Sequence, residues 1–226
     1  VRSAGTEHAL QIAVDDELSV SALAIDAPAV TAALVLAHGA GAGMTHPFMQ
    51  ALAEALAARR IATLRFQFPY MQAGSKRPDP PVLCHRTVRS AVAVAAERWP
   101  ALPLFAGGKS FGGRMTSQAQ AIAPLAHVHG LVFFGFPLHP AGKPSSTRAE
   151  HLLDIRCPLL FLQGSRDKLA ELPLLTTVLP RLSAAHWHVI DAADHAFHVP
   201  ARTGRTDAEV VHELAQHTAL WMTDQG

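Results

Sequence analysis

Little in this chain invites a disulfide, a membrane or a nucleic acid. Its 226 residues include two cysteines, Cys84 and Cys157, and their separation fits neither a metal site nor a redox pair. Two reduced thiols are expected, which points to a reducing compartment and a cytoplasmic location. Net charge is +1 with the histidines neutral, so no basic field draws nucleic acid to the surface. No run of like charges forms a tail. No stretch is apolar for long enough to span a membrane. The opening Val1-Arg2-Ser3-Ala4-Gly5 lacks the apolar core of a signal peptide, which is compatible with an upstream segment having been removed. Neither a repeat nor a low-complexity tract nor a second boundary is visible, and residues 1–226 are expected to form one domain. At 49% hydrophobic and 16% charged, the chain can bury one sizeable core.

What is present is an alternation of apolar runs and helical stripes. Two runs around Asp15-Asp16-Glu17 predict a hairpin, Ala9–Val14 and Val20–Ile25, at a sheet edge. Ala32–Ala37 is continuously apolar, as suits a strand buried on both faces. It ends in His38-Gly39-Ala40-Gly41-Ala42-Gly43, where alternate glycines forbid regular structure. Pro47 opens a helix whose stripe is Phe48, Leu52 and Leu56. A strand at Ile61–Phe66 follows, then an irregular stretch from Gln67 to Pro81. A helix carries Val88, Val92, Ala95 and Trp99 on one side. Further strands are expected at Leu102–Ala106, Gly130–Gly135, Pro158–Leu162 and His186–Ile190. The spacing predicts helices from Gly112 to about Ala123, over Arg148–Leu153, over Leu169–Leu179, and from Thr206 to about Met222. Thr206 and Glu209 have capping-box spacing. From Ala32 onward strands and helices alternate, the signature of a parallel sheet with helices on both faces. Crossover handedness then gathers the C-terminal strand ends along one edge, where sites are built.

One turn stands out against this pattern. Gly107-Gly108-Lys109-Ser110-Phe111-Gly112-Gly113 lies between an apolar run and a helix-compatible stretch. A turn tight enough to lift a serine hydroxyl clear of a sheet crowds its neighbours, and small residues relieve the crowding. Gly-x-Ser-x-Gly in this setting is the pattern of a nucleophile elbow, although the same letters occur in ordinary loops. Gly108-Lys109-Ser110 also matches the end of a phosphate-binding loop. That motif needs a glycine where this chain has Pro103, which excludes it.

Three residues fall at three strand ends in the order Ser110, Asp167, His195. A serine hydroxyl needs a base, imidazole titrates near neutral pH, and the imidazole needs an acceptor to fix its tautomer. His186 and His188 lie inside a strand and are weaker candidates than His195; His198 is a close rival. Asp167 could instead cap the helix after it, and Asp191, four residues before His195, is the alternative acid. A tetrahedral intermediate would need two N–H donors. Phe111 supplies one, and Ala40 is expected to supply the other, with Gly41 second. His38 reads as a hydrogen-bonding loop residue. Lys109 and Arg114 read as solvated or ion-paired side chains, the alternative being attraction of an anionic substrate. Gly41, Tyr70 and His139 are expected to contact substrate, with Met71 and Phe197 at the rim. No metal site and no cofactor are called for.

Taken in order, His38-Gly39-Ala40-Gly41, Arg65–Tyr70, Gly107–Arg114, Gly135–Pro140, Gln163-Gly164-Ser165-Arg166-Asp167 and Asp194-His195 make nearly the whole chain resemble an α/β-hydrolase. More narrowly it resembles the small, lidless dienelactone-hydrolase-like group. Within it, the chain is similar to a bacterial set whose eukaryotic relatives include a subunit of a histone-acetyltransferase complex. The resemblance implies an α/β-hydrolase fold with a mostly parallel central sheet, helices on both faces and no cap domain. Dienelactone hydrolases proper carry cysteine at the elbow, where this chain has Ser110, so their substrate is not implied. Ten to fifteen residues after the Gly130–Gly135 strand can rim a pocket but cannot form a helical lid. The expected activity is serine-dependent cleavage of a small ester or thioester through an acyl-enzyme. The alternatives are a non-catalytic binding or scaffold protein on the same fold and, more remotely, a peptidase.

Overall fold

A computed structural model describes residues 5–225; Val1–Ala4, whose lack of an apolar core was noted above, and Gly226 lie outside the described residues. The strands are β1 (Thr6–Ala13), β2 (Ser19–Asp26), β3 (Ala32–Ala37), β4 (Ile61–Phe66), β5 (Leu104–Lys109), β6 (Val128–Phe134), β7 (Leu159–Gly164) and β8 (Ala185–Ile190). They form one sheet in the order β1-β2-β4-β3-β5-β6-β7-β8. The β1–β2 hairpin is antiparallel and joins β4 antiparallel. Every pairing from β4 to β8 is parallel.

The apolar runs explain the layering. All six residues of β3 are buried, and alternate side chains serve opposite faces. Ala33, Val35 and Ala37 enter one cluster together with Val88, Val92, Met115 and Ala119; Leu34 and Leu36 enter the other with Leu52, Leu56, Val211 and Leu214. The first face is covered by α3 (Pro81–Arg98) and α4 (Phe111–Ile122), the second by α1 (Pro47–Ala57) and α6 (Asp207–Gln225). A fully buried leucine or valine contributes about 1.5–3 kcal/mol, so these stripes hold the helices to the sheet. α6 starts at the predicted capping box: the Glu209 N–H donates to Thr206 Oγ1 at 3.2 Å, and the Thr206 N–H donates to Glu209 Oε2 at 2.7 Å.

Several boundaries differ from the sequence reading, each for a local reason. β5 continues through Gly107 and Gly108 to Lys109, because both glycines pair with β3 on one side and β6 on the other. The stretch after β4 contains one short turn of helix, α2 (Pro69–Gln72), with proline at its start. The helix expected from Leu169 begins at Leu172, as α5 (Leu172–Val178). The residues before it are held in a turn, in which the Leu169 N–H donates to Asp167 Oδ1 at 2.8 Å. The segment at 147–154 is 3-10 rather than α-helical. Residues 135–146, between β6 and that segment, fold back onto the sheet through the buried Phe136 and Leu138. Among the described residues no separate cap domain covers the C-terminal strand edge. No helix among the described residues is long and apolar enough to cross a membrane.

Candidate active site

Ser110 occupies the single residue between β5 and α4, with φ 51° and ψ −114°. An L-residue held at positive φ costs on the order of 1–3 kcal/mol and persists only where its surroundings enforce it. Here the enforcement is close packing of the elbow against β3. A Cβ on Gly108 would lie 2.4 Å from the Ala37 carbonyl oxygen, and one on Gly112 would lie 2.5 Å from the carbonyl oxygens of both Ala37 and His38. The Ser110 N–H donates to the Phe134 carbonyl at 3.1 Å. Its hydroxyl makes no capping bond to its own helix and turns instead toward His195, with Oγ 2.8 Å from Nε2.

His195 Nδ1 lies 2.6 Å from Asp167 Oδ2. A carboxylate can only accept, so Nδ1 carries the ring proton and Nε2 is left as acceptor for the serine hydroxyl. Asp167 is buried, and its remaining lone pairs are taken by Gln163 Nε2, 2.5 Å from Oδ2, and by the Leu169 N–H on Oδ1. Asp191 does not approach His195; it is exposed and meets the Ser165 hydroxyl at 3.4 Å. Nor is Asp167 a helix cap, since the N-cap position of α5 is Glu171, which makes no side-chain capping bond. His198 is exposed and pairs with Asp207 at 2.9 Å. The loop bearing His195 is built by Asp194, whose Oδ1 accepts from the N–H groups of Ala196 and His198 at 2.8 and 3.0 Å.

Lys109 supplies a further tie to that loop. Its Nζ donates to the His195 carbonyl oxygen and lies 5.0 Å from the centre of the Phe197 ring, which stacks on Phe48. Burial pushes the ammonium down to about 8, and Asp167 and Asp194 only partly oppose the shift. The sequence offered solvation or ion pairing for Lys109, with attraction of an anionic substrate as the alternative; the structure instead gives its ammonium a backbone carbonyl partner, while the side chain also forms part of the cavity wall beside Ser110. It is a strut between the elbow and the histidine loop.

The loop after β3 is held just as specifically. His38 is fully buried between two partners: Nδ1 lies 2.7 Å from the Gly39 carbonyl oxygen, and Nε2 accepts from the Phe68 N–H at 3.0 Å. Burial lowers its pKa to about 4, which keeps the ring neutral and in that tautomer. The Gly39 carbonyl shares its planar trans peptide with the Ala40 N–H, so fixing the one aims the other in the opposite direction. The Tyr70 hydroxyl donates to the Ala40 carbonyl at 2.8 Å and fixes the next peptide. Arg65 and Gln67 secure the far end of the loop through the Met44 carbonyl and N–H. Among the described residues the N–H groups of Phe111 and Ala40 meet no acceptor within the protein.

A cavity of about 360 Å³ opens on Ser110 and His195, with Gly39–Ala42, Phe48, Met49, Leu169 and Ala196 among its walls. Gly41 is in the wall of this cavity. Tyr70 and His139 are not, and those two expectations are corrected. Tyr70 is 3% exposed, with its ring packed against Phe68 and Phe111; it braces the Ala40 loop from behind. His139 is 0% exposed, and its Nε2 meets Glu171 at 2.5 Å, because the segment after β6 tucks inward. Phe197 is likewise buried, and Met71 packs on the core. Phe48, Met49 and Leu169 were missed as lining residues, since helical spacing alone marks such side chains as core. A larger cavity of about 690 Å³, lined by Trp99, Leu102, Leu125 and His129, lies at the opposite edge of the sheet, away from Ser110.

Fold and geometry together define a class. The alpha/beta hydrolase domain family model matches residues 30–223, and the chain belongs to the α/β-hydrolase family. Solved structures share the architecture at low identity. A dienelactone hydrolase from Anabaena variabilis superposes with a TM-score of 0.77 at 20% identity, covering 99% of each chain. A serine hydrolase without a lid from Xanthomonas campestris gives 0.74 at 18% identity, covering 95% of this chain and 94% of its own. Est1E from Butyrivibrio proteoclasticus gives 0.71 at 14% identity, covering 96% of this chain and 99% of its own. At these identities the likeness is one of fold.

Proposed function

We propose that the chain is a serine hydrolase that cleaves a small ester or thioester through an acyl-enzyme. The observation that carries this reading is the unbroken hydrogen-bond chain from Ser110 Oγ through His195 to Asp167. In the proposed reaction Ser110 Oγ attacks the acyl carbonyl while His195 Nε2 takes its proton. Asp167 holds the imidazole in the required tautomer and stabilises its positive form. The oxyanion that develops is received by the N–H groups of Phe111 and Ala40, each worth about 3 kcal/mol in the transition state. His195 then protonates the departing alkoxide or thiolate. Water, activated by the same nitrogen, releases the acid and restores Ser110.

The size of the cavity supports short acyl groups. At about 360 Å³ it sits at the small end of ligand pockets, and besides Ser110 and His195 its walls are alanine, glycine, phenylalanine, methionine and leucine, with Lys109 and His46 the other polar members. The test is turnover of a panel of p-nitrophenyl esters and acyl-thioesters of increasing length. The expected result is activity highest for short acyl chains and abolished in Ser110→Ala. Folded wild type without turnover on any member, while retaining a protein partner in pull-downs, would favour the scaffold alternative.

A further inference from the structure

On the sheet face covered by α6, three ligating side chains converge away from the cavity. His188 points from β8 toward the helix. Glu213 and His217 lie four residues apart on α6, so they occupy one face of it. One nitrogen or oxygen from each lies within 4.8 Å of the others, and all three residues are half-buried. His188 Nε2 and Glu213 Oε1 are already 2.8 Å apart. The two imidazoles stack with ring centres 3.4 Å apart and planes 20° apart. Arg205 donates to the other carboxylate oxygen, Oε2, which orients Glu213 so that Oε1 faces the histidines.

We propose that His188, Glu213 and His217 form a site for a divalent transition-metal ion of the zinc class. Two imidazoles and one carboxylate are a donor set that zinc takes with bonds of about 2.0–2.2 Å, while magnesium and calcium prefer all-oxygen shells. The metal takes the place of the hydrogen between His188 Nε2 and Glu213 Oε1. Ligation through Nε2 requires the His188 tautomer with its one proton on Nδ1, so a neutral ring that now donates from Nε2 to Glu213 gives that proton to water and takes one up at Nδ1 as the metal binds. Ligand atoms on tetrahedral zinc stand about 3.4 Å apart, so the present spread must close by roughly an ångström. The proposal requires the His217 side chain to turn out of the stack toward His188 Nε2 and Glu213 Oε1. Water completes the shell, since the side chains of His188 and Glu213 are 31% and 25% exposed. An ion bound here would pin α6 to β8, the strand that leads into the His195 loop.

The experiment is titration of the whole chain with zinc(II) alone, followed by calorimetry, against a His188→Asn/His217→Asn double variant. The chain has 14 histidines, so the difference between the two proteins is the measurement. Wild type is expected to bind one more zinc ion than the variant, with magnesium unable to compete. Glu213→Gln should weaken that site at least tenfold, and Ser110→Ala should leave it unchanged. Cobalt(II) absorption gives a second readout, with visible bands expected in wild type and lost in the double variant. If the double variant does not fold, His217→Gln alone, on the partly exposed side of α6, replaces it. Equal stoichiometry and affinity in wild type and variant, or equal competition by magnesium, would overturn the proposal.

Discussion

The ammonium of Lys109 donates to the backbone carbonyl of His195, so the residue next to the candidate nucleophile on one strand holds the loop of the candidate base on another. Lys109→Met removes this strut and leaves every group of the Ser110–His195–Asp167 chain in place. The expected result is a fall in kcat of about tenfold or more, since small misplacements of a reacting group are costly, with KM little changed. Because burial sets the Lys109 pKa at about 8, wild-type kcat should decline as pH rises through that value. Lys109→Arg, charged throughout, is the control that should lack this decline if it retains the contact. Steady-state kinetics from pH 6 to 9.5 check both.

Tyr70 offers a test of the loop that carries Ala40. Its hydroxyl bonds the Ala40 carbonyl at 2.8 Å, and burial raises the phenol pKa, so it stays a donor. Tyr70→Phe deletes one hydrogen bond, worth about 0.5–1.5 kcal/mol. A two- to tenfold loss in kcat with KM unchanged is expected. A selective rise in KM would instead mean that Tyr70 contacts substrate.

How far the sequence foretold this arrangement depends on which force acts at each residue. β3 and β4 were legible to the residue, β3 because a strand buried on both faces reads as an unbroken apolar run and β4 because its apolar positions still stand out although Thr63 and Arg65 interrupt them. The order Ser110, Asp167, His195 was legible because the alternation of strands and helices places strand ends on one edge. The roles of Tyr70 and His139 were not. Whether an aromatic or a histidine faces a cavity or braces its wall is decided by loops folding back across the sheet, and no local pattern records that. The extension of β5 to Lys109 was hidden for a similar reason: its glycines look like a turn until pairing with β3 and β6 claims them. Asp167 was the first choice of acid in the sequence and Asp191 its alternative; in the structure His195 Nδ1 lies 2.6 Å from Asp167 Oδ2, while Asp191 meets Ser165.

A buried histidine, His38, and a partly buried one, His151, predict acid sensitivity. Burial lowers both His38 and His151 from 6.5 to about 4; around His151, Arg114 and His85 add to the shift. Each ring stays neutral in the folded state while the unfolded chain takes up a proton below about pH 6.5. Their contribution is therefore fully present above that pH and is lost as pH falls toward 4, on the order of 3 kcal/mol apiece. Urea unfolding at pH 7.5 and pH 5 should show a marked drop in midpoint. His151 Nε2 lies 2.7 Å from the Ser117 hydroxyl oxygen; His151→Gln, which can retain a bond to Ser117, should show a smaller drop, and an identical drop would remove His151 from the account.

The elbow glycines predict a stability defect tied to packing. A Cβ at Gly112 has backbone carbonyls at 2.5 Å, and neither β3 nor α4 can move apart without losing its burial. Gly112→Ala should cost about 1–3 kcal/mol and reduce turnover, as read by urea unfolding and ester hydrolysis. Gly41, with no atom within 4 Å of its Cβ position, is the matched control, and Gly41→Ala should leave stability within about 0.5 kcal/mol of wild type.

The claim on which everything functional rests is that Ser110 is a nucleophile made reactive by His195. Labelling by a fluorophosphonate, followed by intact-mass analysis, tests it most directly. One adduct per wild-type chain, none on Ser110→Ala and sharply slowed labelling on His195→Ala is the predicted result. A folded wild-type protein that takes no label, or one that labels equally when Ser110 is replaced, would contradict it.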